Sequence, residues 1–196
     1  MLKDKKGFSY WFTNVFWYHY KWWFLLGVFV AALAVFILIE SSGTVKYDFT
    51  VVFAQDGNVL EDQAGEILDL VGVSVGDING DGKVNVRFVS VNLDENYDQI
   101  LVYLTDPEIS LFILDGYYSS LYSSLGYFED KLADYGIESD GDNPFRVYLG
   151  DTSVFKKSGL AGSSYYGHII DWTTVGKGRR DLMDGAVKSL KAFLAS

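Results

Sequence analysis

Residues 46–55 read KYDFTVVFAQ. Polar and apolar side chains alternate from Lys46 to Thr50 and then give way to the run Val51–Ala54, the pattern of a strand buried on both faces. Asp56-Gly57-Asn58 follows as a turn or cap. Leu60, Ala64, Ile67, Leu68 and Val71 then recur at helical spacing, which predicts an amphipathic helix over roughly 58–71. The same alternation continues. KVNVRFVSV (83–91) reads as a second strand, and Asn92-Leu93-Asp94 caps a helix carrying Tyr97, Ile100, Leu101 and Leu104 on one face. Asp106-Pro107 stops it, and ISLFILD (109–115) is a third, almost wholly apolar strand. Strands of this kind alternating with helices predict an α/β domain with a small, mostly parallel sheet and helices on its faces.

Beyond Asp115 the pattern is less regular. Residues 116–136 read as one or two short helices, Arg146–Leu149 as a fourth strand, and 150–167 as a long loop rich in Gly and Ser. His168–Val175 is read as a fifth strand. A last helix follows, with Met183, Ala186, Val187, Leu190, Phe193 and Leu194 on one face.

Ahead of this body, Trp22–Ile39 reads WWFLLGVFVAALAVFILI, 18 residues without charge or proline. As a helix it spans roughly 27 Å, close to a hydrocarbon core of about 30 Å. Soluble helices are rarely apolar on every face. Tyr10, Trp11, Trp17, Tyr18, Tyr20, Trp22 and Trp23 supply rings suited to the headgroup layer. Lys3, Lys5, Lys6 and Lys21 precede the span and Glu40 follows it, so the positive-inside tendency puts the N-terminus in the cytoplasm of a single-pass plasma-membrane protein. The alternative is a cleaved signal, with Ser41-Ser42-Gly43 as the small residues at the cut. Either way the body is exported. The chain then divides into an aromatic cytoplasmic or interfacial segment (1–21), the span (22–39), a tether (40–45) and an extracytoplasmic domain (46–196).

Of the net charge of −10, residues 1–40 carry +2 and residues 41–196 carry −12. An acidic body repels polyphosphate, which argues against nucleic acid as a partner. The absence of cysteine removes disulfides, zinc–thiolate sites, iron–sulfur clusters and thiol catalysis.

The opening strand YDFTVVFA, the second strand VNVRFVSV and the segment DPEISLFILDGYYSSLYSSLGYFEDKL together resemble the first lobe of type 2 extracytoplasmic solute-binding proteins. The resemblance covers about residues 46–135, with a weaker echo in the last helix, and implies one lobe of that fold. A solute-binding protein closes two lobes on its ligand, and only 82 residues follow Leu114. The chain therefore looks like a single-lobe relative on a membrane helix, and solute transport does not carry over. It also resembles small membrane-anchored proteins of unassigned function that combine an aromatic N-terminal anchor with a D-x-N-G-D-G-K loop.

That loop is DINGDGKVN (77–85). Calcium loops place oxygen ligands at alternate positions and a glycine at the sharp turn. Here Asp77, Asn79, Asp81, the Lys83 carbonyl and Asn85 occupy positions 1, 3, 5, 7 and 9, with Gly82 at 6, a first half resembling the dockerin type. Position 12 is Phe88 where a bidentate carboxylate belongs, and a strand follows instead of a helix. Asp94, Glu95 or a water would have to complete the site. The competing reading is a set of Asx-turns with Gly80 and Gly82 left-handed and no metal.

No G-x-S-x-G, H-E-x-x-H or phosphate-binding glycine loop occurs. His19 lies in the aromatic flank, and His168, before an apolar pair, reads as a satisfied histidine at a strand start. Gly176–Arg180 is a basic spot opening the last helix, an anion site or a solvated cap. In open α/β sheets ligands sit beyond the strands' carboxyl ends, which here carry Gln55, Asp56, Asn92, Asp115, Tyr117 and Tyr118. Tyrosines beside polar groups suit a sugar or peptide, or simply pack between helices. Three functions stay open: a non-catalytic binding or accessory module, a surface hydrolase using carboxylates, and a structural component of an envelope complex whose aromatic segment packs on other membrane proteins.

Overall fold

A computed structural model describes residues 7–12, 16–43, 45–57, 61–141, 143–160 and 164–196. Lys3, Lys5 and Lys6, and the expected helix start at 58–60, lie outside them. The chain divides into two compact units, Met1–Val45 and Lys46–Ser196.

The first unit contains α1 (Phe8–Trp11) and α2 (Trp17–Gly43). Within α2, Trp17–Leu38 form 22 residues, none of them buried, with an 18-residue window of mean hydropathy 2.2, long and apolar enough to cross a membrane. The helix runs past both expected ends of the span. At its front, rings pair at helical spacing, Phe12 on Phe16 at 5.3 Å and Phe16 on Tyr20 at 5.9 Å. At its far end it continues to Gly43, through most of the segment expected as a tether.

The second unit is built from β1 (Phe49–Gln55), α3 (Glu61–Val75), β2 (Val86–Asn92), α4 (Gln99–Leu104), β3 (Leu111–Asp115), α5 (Gly116–Ser124), a 3₁₀ turn (Leu132–Tyr135), β4 (Val147–Tyr148), α6 (Ser153–Lys157), β5 (Tyr165–Ile169) and α7 (Arg180–Ala195). The five strands form one sheet in the order β2-β1-β3-β5-β4. β1 pairs in parallel with β2, from Phe49↔Val86 to Gln55↔Asn92, and with β3, from Val51↔Leu111 to Ala54↔Leu114.

Because side chains alternate along a strand, β1 sends Phe49, Val51 and Phe53 to one face and Val52 and Ala54 to the other. The first face packs with Leu111 and Ile113 under α3 (Ala64, Ile67, Val71) and α7 (Met183, Ala186, Leu190, Phe193). The second packs with Phe112 and Leu114 under α4 and α5 (Ile100, Leu104, Tyr118, Tyr122). Burial of each large apolar side chain stabilises the fold by about 1.5–3 kcal/mol. With both faces covered, Val51–Ala54 of β1 and Leu111–Leu114 of β3 are continuous apolar runs instead of alternating.

The sheet is mixed, where a mostly parallel one was expected. β5 runs antiparallel to both β3 and β4. Between β4 and β5, among the described residues, only the five-residue α6 forms, in the stretch expected to be loop. β5 also lies earlier than expected. After Ile170 the chain leaves the sheet because the Asp171 side chain accepts from the Thr173 amide, at 2.8 Å, and from the Thr173 and Tyr135 hydroxyls. The turn closes with Lys177 and Gly178 amides donating to the Trp172 carbonyl at 3.1 and 3.0 Å.

A Cβ at Gly178 would stand 2.4 Å from Trp172 Cβ and 2.9 Å from its carbonyl carbon. Gly178→Ala is therefore expected to destabilise the second unit by about 1–3 kcal/mol, read as a lower denaturant midpoint at unchanged slope. An unchanged midpoint would mean this turn is not packed as described.

Candidate functional site

At the carboxyl ends of the parallel strands, the crossovers leave β1 and β3 toward opposite faces of the sheet, the place where open α/β sheets hold ligands. Of the six residues expected there, Gln55, Asp56, Asn92, Asp115 and Tyr118 enter a framework of hydrogen bonds. Asn92 Oδ1 accepts from the Gly57 amide at 3.0 Å and the Asp94 amide at 3.2 Å, so this side chain fixes the turns after β1 and β2. Gln55 Oε1 accepts from the Tyr165 hydroxyl. Asp115 is the N-cap of α5, its Oδ1 accepting from the Tyr118 amide at 3.0 Å. Burial raises the Asp115 carboxyl above its ordinary range; the Tyr118, Asp56 and Tyr117 amides oppose this and the Asp56 charge adds to it. Asp56 is exposed, and burial together with the Asp56 charge raises the Tyr118 hydroxyl above its ordinary value. Tyr117, the sixth, is 69 % exposed and stands edge-on to Tyr118 at 5.0 Å.

Tyr165 is the residue that sequence reasoning missed. It belongs to β5, whose N-terminal end meets the carboxyl end of β3 only because β5 runs antiparallel, with Asp115 opposite Tyr165.

The 77–85 loop lies at the other end of β2. Its oxygens face its own amides. Asp77 Oδ1 accepts from Gly80 and Asp81 and Oδ2 from Gly82; Asn79 accepts from Asp81; Asp81 accepts from Lys83. Gly80 and Gly82 have φ of 75° and 81°, the left-handed values that both readings of the loop require. Asn85 donates its side-chain amide to the Lys46 carbonyl. Asp94 and Glu95 cannot complete a metal site here, because the seven residues of β2, roughly 23 Å of strand, separate them from the loop. Among the described residues, no group of three His, Cys, Asp or Glu side chains gathers to hold a metal.

Asp48 organises this end. It is 2 % exposed, and its carboxylate accepts the amides of Ile78 and Asn79 at 2.9 Å and of Asn85 at 2.7 Å. Burial pushes the carboxyl up, but the Asn85, Asn79 and Ile78 amides outweigh it and hold it below the usual carboxylate value. The one sequence signal was a carboxylate set between Tyr47 and Phe49 at the mouth of a buried strand. Beside this end, a groove of about 500 Å³ is lined by Tyr47, Gly72, Val73, Val84 and Val86.

His168 lies inside β5 and is fully buried. Its Nδ1 is 2.9 Å from the Phe145 carbonyl and its Nε2 2.9 Å from Ser119 Oγ, and its ring stacks on Phe128 with centroids 4.0 Å apart. With Nδ1 donating to the carbonyl, Nε2 accepts from the serine. Burial lowers its pKa to about 3, with the nearby Arg146 charge adding to the effect and the Phe145 bond opposing it. Both ring nitrogens are committed, which makes this a structural histidine out of reach of any substrate. The basic spot at 176–180 is likewise engaged in part. Arg179 pairs with Asp181 and lies 4.0 Å from Glu108.

A second cleft, of about 290 Å³, lies at the amino end of β3 and includes Tyr127, Asp130, Asp171 and Trp172. Burial, with Asp171, Glu129 and Asp134 nearby, raises the Asp130 carboxyl; the Asp171 amide opposes this at 2.7 Å. Burial also acts on Asp171, but bonds from Thr173 and Tyr135 outweigh it and leave that carboxyl lowered.

No family model, curated protein or solved structure matches this chain.

Proposed function

We propose that the chain is a membrane-anchored extracytoplasmic module that binds a small-molecule or glycan ligand, or acts as an accessory subunit to a membrane partner, without catalysing a reaction. α2 is the single-pass anchor, with the N-terminus cytoplasmic. The observation that carries the reading is the framework of Gln55, Asp56, Asp115 and Tyr118 at the carboxyl ends of neighbouring parallel strands. The single-lobe solute-binding resemblance points to the same end of the sheet. A ligand of this site stabilises the full chain by mass action. In nonionic detergent, a compound from a sugar, peptide and amine panel is expected to raise the melting temperature of wild type but not of Asp56→Asn. A panel that leaves wild type unmoved, while a membrane protein co-purifies with it stoichiometrically, would favour the structural role.

The 77–85 loop is proposed as a calcium staple, with Asp77, Asn79, Asp81, the Lys83 carbonyl and Asn85 as ligands and water completing the shell. Calcium there contributes charge neutralisation and loop rigidity. Extracellular modules bind calcium in the 10⁻⁴–10⁻³ M range, so millimolar calcium is expected to raise the melting temperature of wild type and not of Asp77→Ala. No calcium-dependent rise would leave the loop as Asx-turns alone.

The hydrolase reading is favoured by one observation, the carboxyls of Asp130 and Asp171 pushed in opposite directions within an aromatic cleft, as an acid–base pair requires. Its mark is turnover of a glycoside that disappears in Asp130→Asn.

A further inference from the structure

We infer that the groove between α3 and the start of β2 docks on an anionic phospholipid surface, an inference that rests on reading α2 as the membrane anchor. The groove, of about 500 Å³, is walled by Leu68, Gly72 and Val73 of α3 and by Tyr47, Val84 and Val86. Tyr47, Val73 and Val84 are 51 %, 85 % and 46 % exposed. Exposed apolar residues gathered in one groove mark a contact surface, where scattered ones do not. Gly72 keeps its floor open: a Cβ there would touch Val84 Cγ1 at 3.5 Å and Val86 Cγ2 at 3.6 Å.

Two observations name a bilayer as the cover. The first is charge. Lys46, Lys83 and Arg87 are exposed, and each stands beside an apolar wall of the groove. Lys46 precedes Tyr47, Lys83 precedes Val84, and the Arg87 guanidinium lies 6.0 Å from the centre of the Tyr47 ring. Among the described residues, none of the three has a carboxylate in ion-pair range. Asp69 is the one charged residue that lines the groove, and the Asp77 and Asp81 carboxylates of the neighbouring loop are turned onto the loop's own amides. Unpaired cations around valines and a tyrosine suit phosphates lying over acyl chains, with the tyrosine ring at the boundary. The second observation is reach. Tyr47 is the fourth residue after Gly43, the last of α2, and fully extended chain of that length spans at most about 14 Å. The bilayer is therefore the surface to which this groove is covalently held close.

The test uses the full chain in lipid nanodiscs, which are open to solvent on both faces, in the presence of EDTA. The discs are phosphatidylcholine alone or an equal mixture with phosphatidylglycerol. The chain has no cysteine, so an environment-sensitive fluorophore is attached at Val84→Cys or, on the opposite wall, at Val73→Cys, with the exposed Ser124→Cys as control. In anionic discs the groove probes are expected to be shielded from acrylamide and quenched by spin-labelled lipid, while the probe at residue 124 stays open to acrylamide. Lys83→Gln and Arg87→Gln should each lower the ratio of docked to undocked chain about fivefold. Asp69→Asn should raise it, an effect that damage to the fold would not produce. Equal acrylamide access in both disc types, with the chain still incorporated, would overturn the docking and leave the anchor standing. Shielding without quenching by spin-labelled lipid would mean that protein, such as a second copy of the chain, covers the groove, and would overturn the docking too. A chain that enters neither type of disc would overturn the anchor reading and the docking with it.

Discussion

Acidifying the full chain in nonionic detergent from pH 7.5 to 4.5 is expected to lower the unfolding free energy of its α/β unit by about 3 kcal/mol, with His168 accounting for most of the loss. Unfolded, this histidine takes up a proton near pH 6.5; folded, it resists until about 3. Between those values the unfolded state binds more protons, so the stabilisation is complete above 6.5 and falls by about 1.4 kcal/mol for each unit below it. The carboxyls held low, Asp48, Asp171 and Asp181, lose their contribution only as pH falls below the ordinary carboxylate value of 3.8. Asp115 and Asp130, held high, take up protons more readily when folded and so oppose the loss at its lower end. His168→Gln keeps a donor for Phe145 and an acceptor for Ser119 without titrating. Its stability at pH 7.5 is expected to fall by about 1–2 kcal/mol while its profile between 6.5 and 4.5 flattens. A wild-type profile flat over the same range would show that the ring is not enclosed and neutral.

Replacing Asp48 with alanine is the other change expected to have a large effect. Three amides from the far side of the 77–85 loop converge on this one carboxylate. Its removal leaves all three without their acceptor, and a charged acceptor contributes about 1.5–3 kcal/mol per bond. Some of the loss is recovered as water enters, so about 3–5 kcal/mol of destabilisation is expected, read from the denaturant midpoint. Asp48→Asn retains one acceptor oxygen and is expected to fall between wild type and alanine. Hydrogen exchange at Ile78, Asn79 and Asn85 separates this cause from a general loss of packing. Those amides should exchange faster in Asp48→Ala under conditions where α7 remains protected. An alanine variant within 1 kcal/mol of wild type, the ordinary range for a surface substitution, would mean the loop holds its shape without Asp48.

The contrast between these two residues explains what the sequence could tell in advance. Helix and strand periodicity made β1, β2, β3, α3 and α7 legible, because each buries a full stripe or face. The long apolar helix was legible because eighteen residues without charge or proline sustain one helix whatever surrounds it. Knowing where three parallel strands end was then enough to name Gln55, Asp56, Asn92 and Asp115. β5 was misplaced because its sequence, YYGHI, lacks the apolar run of a two-sided strand: Gly167 leaves room for Leu190, and His168 is satisfied by Phe145 and Ser119. Neither partner is near it in sequence. Tyr165 and Asp48 were hidden for the same reason. Their roles come from segments 110 and 30 or more residues away, and no local period records such a meeting.

The most direct test of the account uses the absence of cysteine in the chain. A cysteine placed at the exposed Ser124, on α5, and another at the exposed Gly7, ahead of α1, report the two sides of the membrane separately. In intact protoplasts a membrane-impermeant maleimide is predicted to label Ser124→Cys at once and Gly7→Cys only after permeabilisation. Labelling of Gly7→Cys alone in intact protoplasts, with Ser124→Cys silent until they are broken, would place the α/β unit in the cytoplasm and contradict the account.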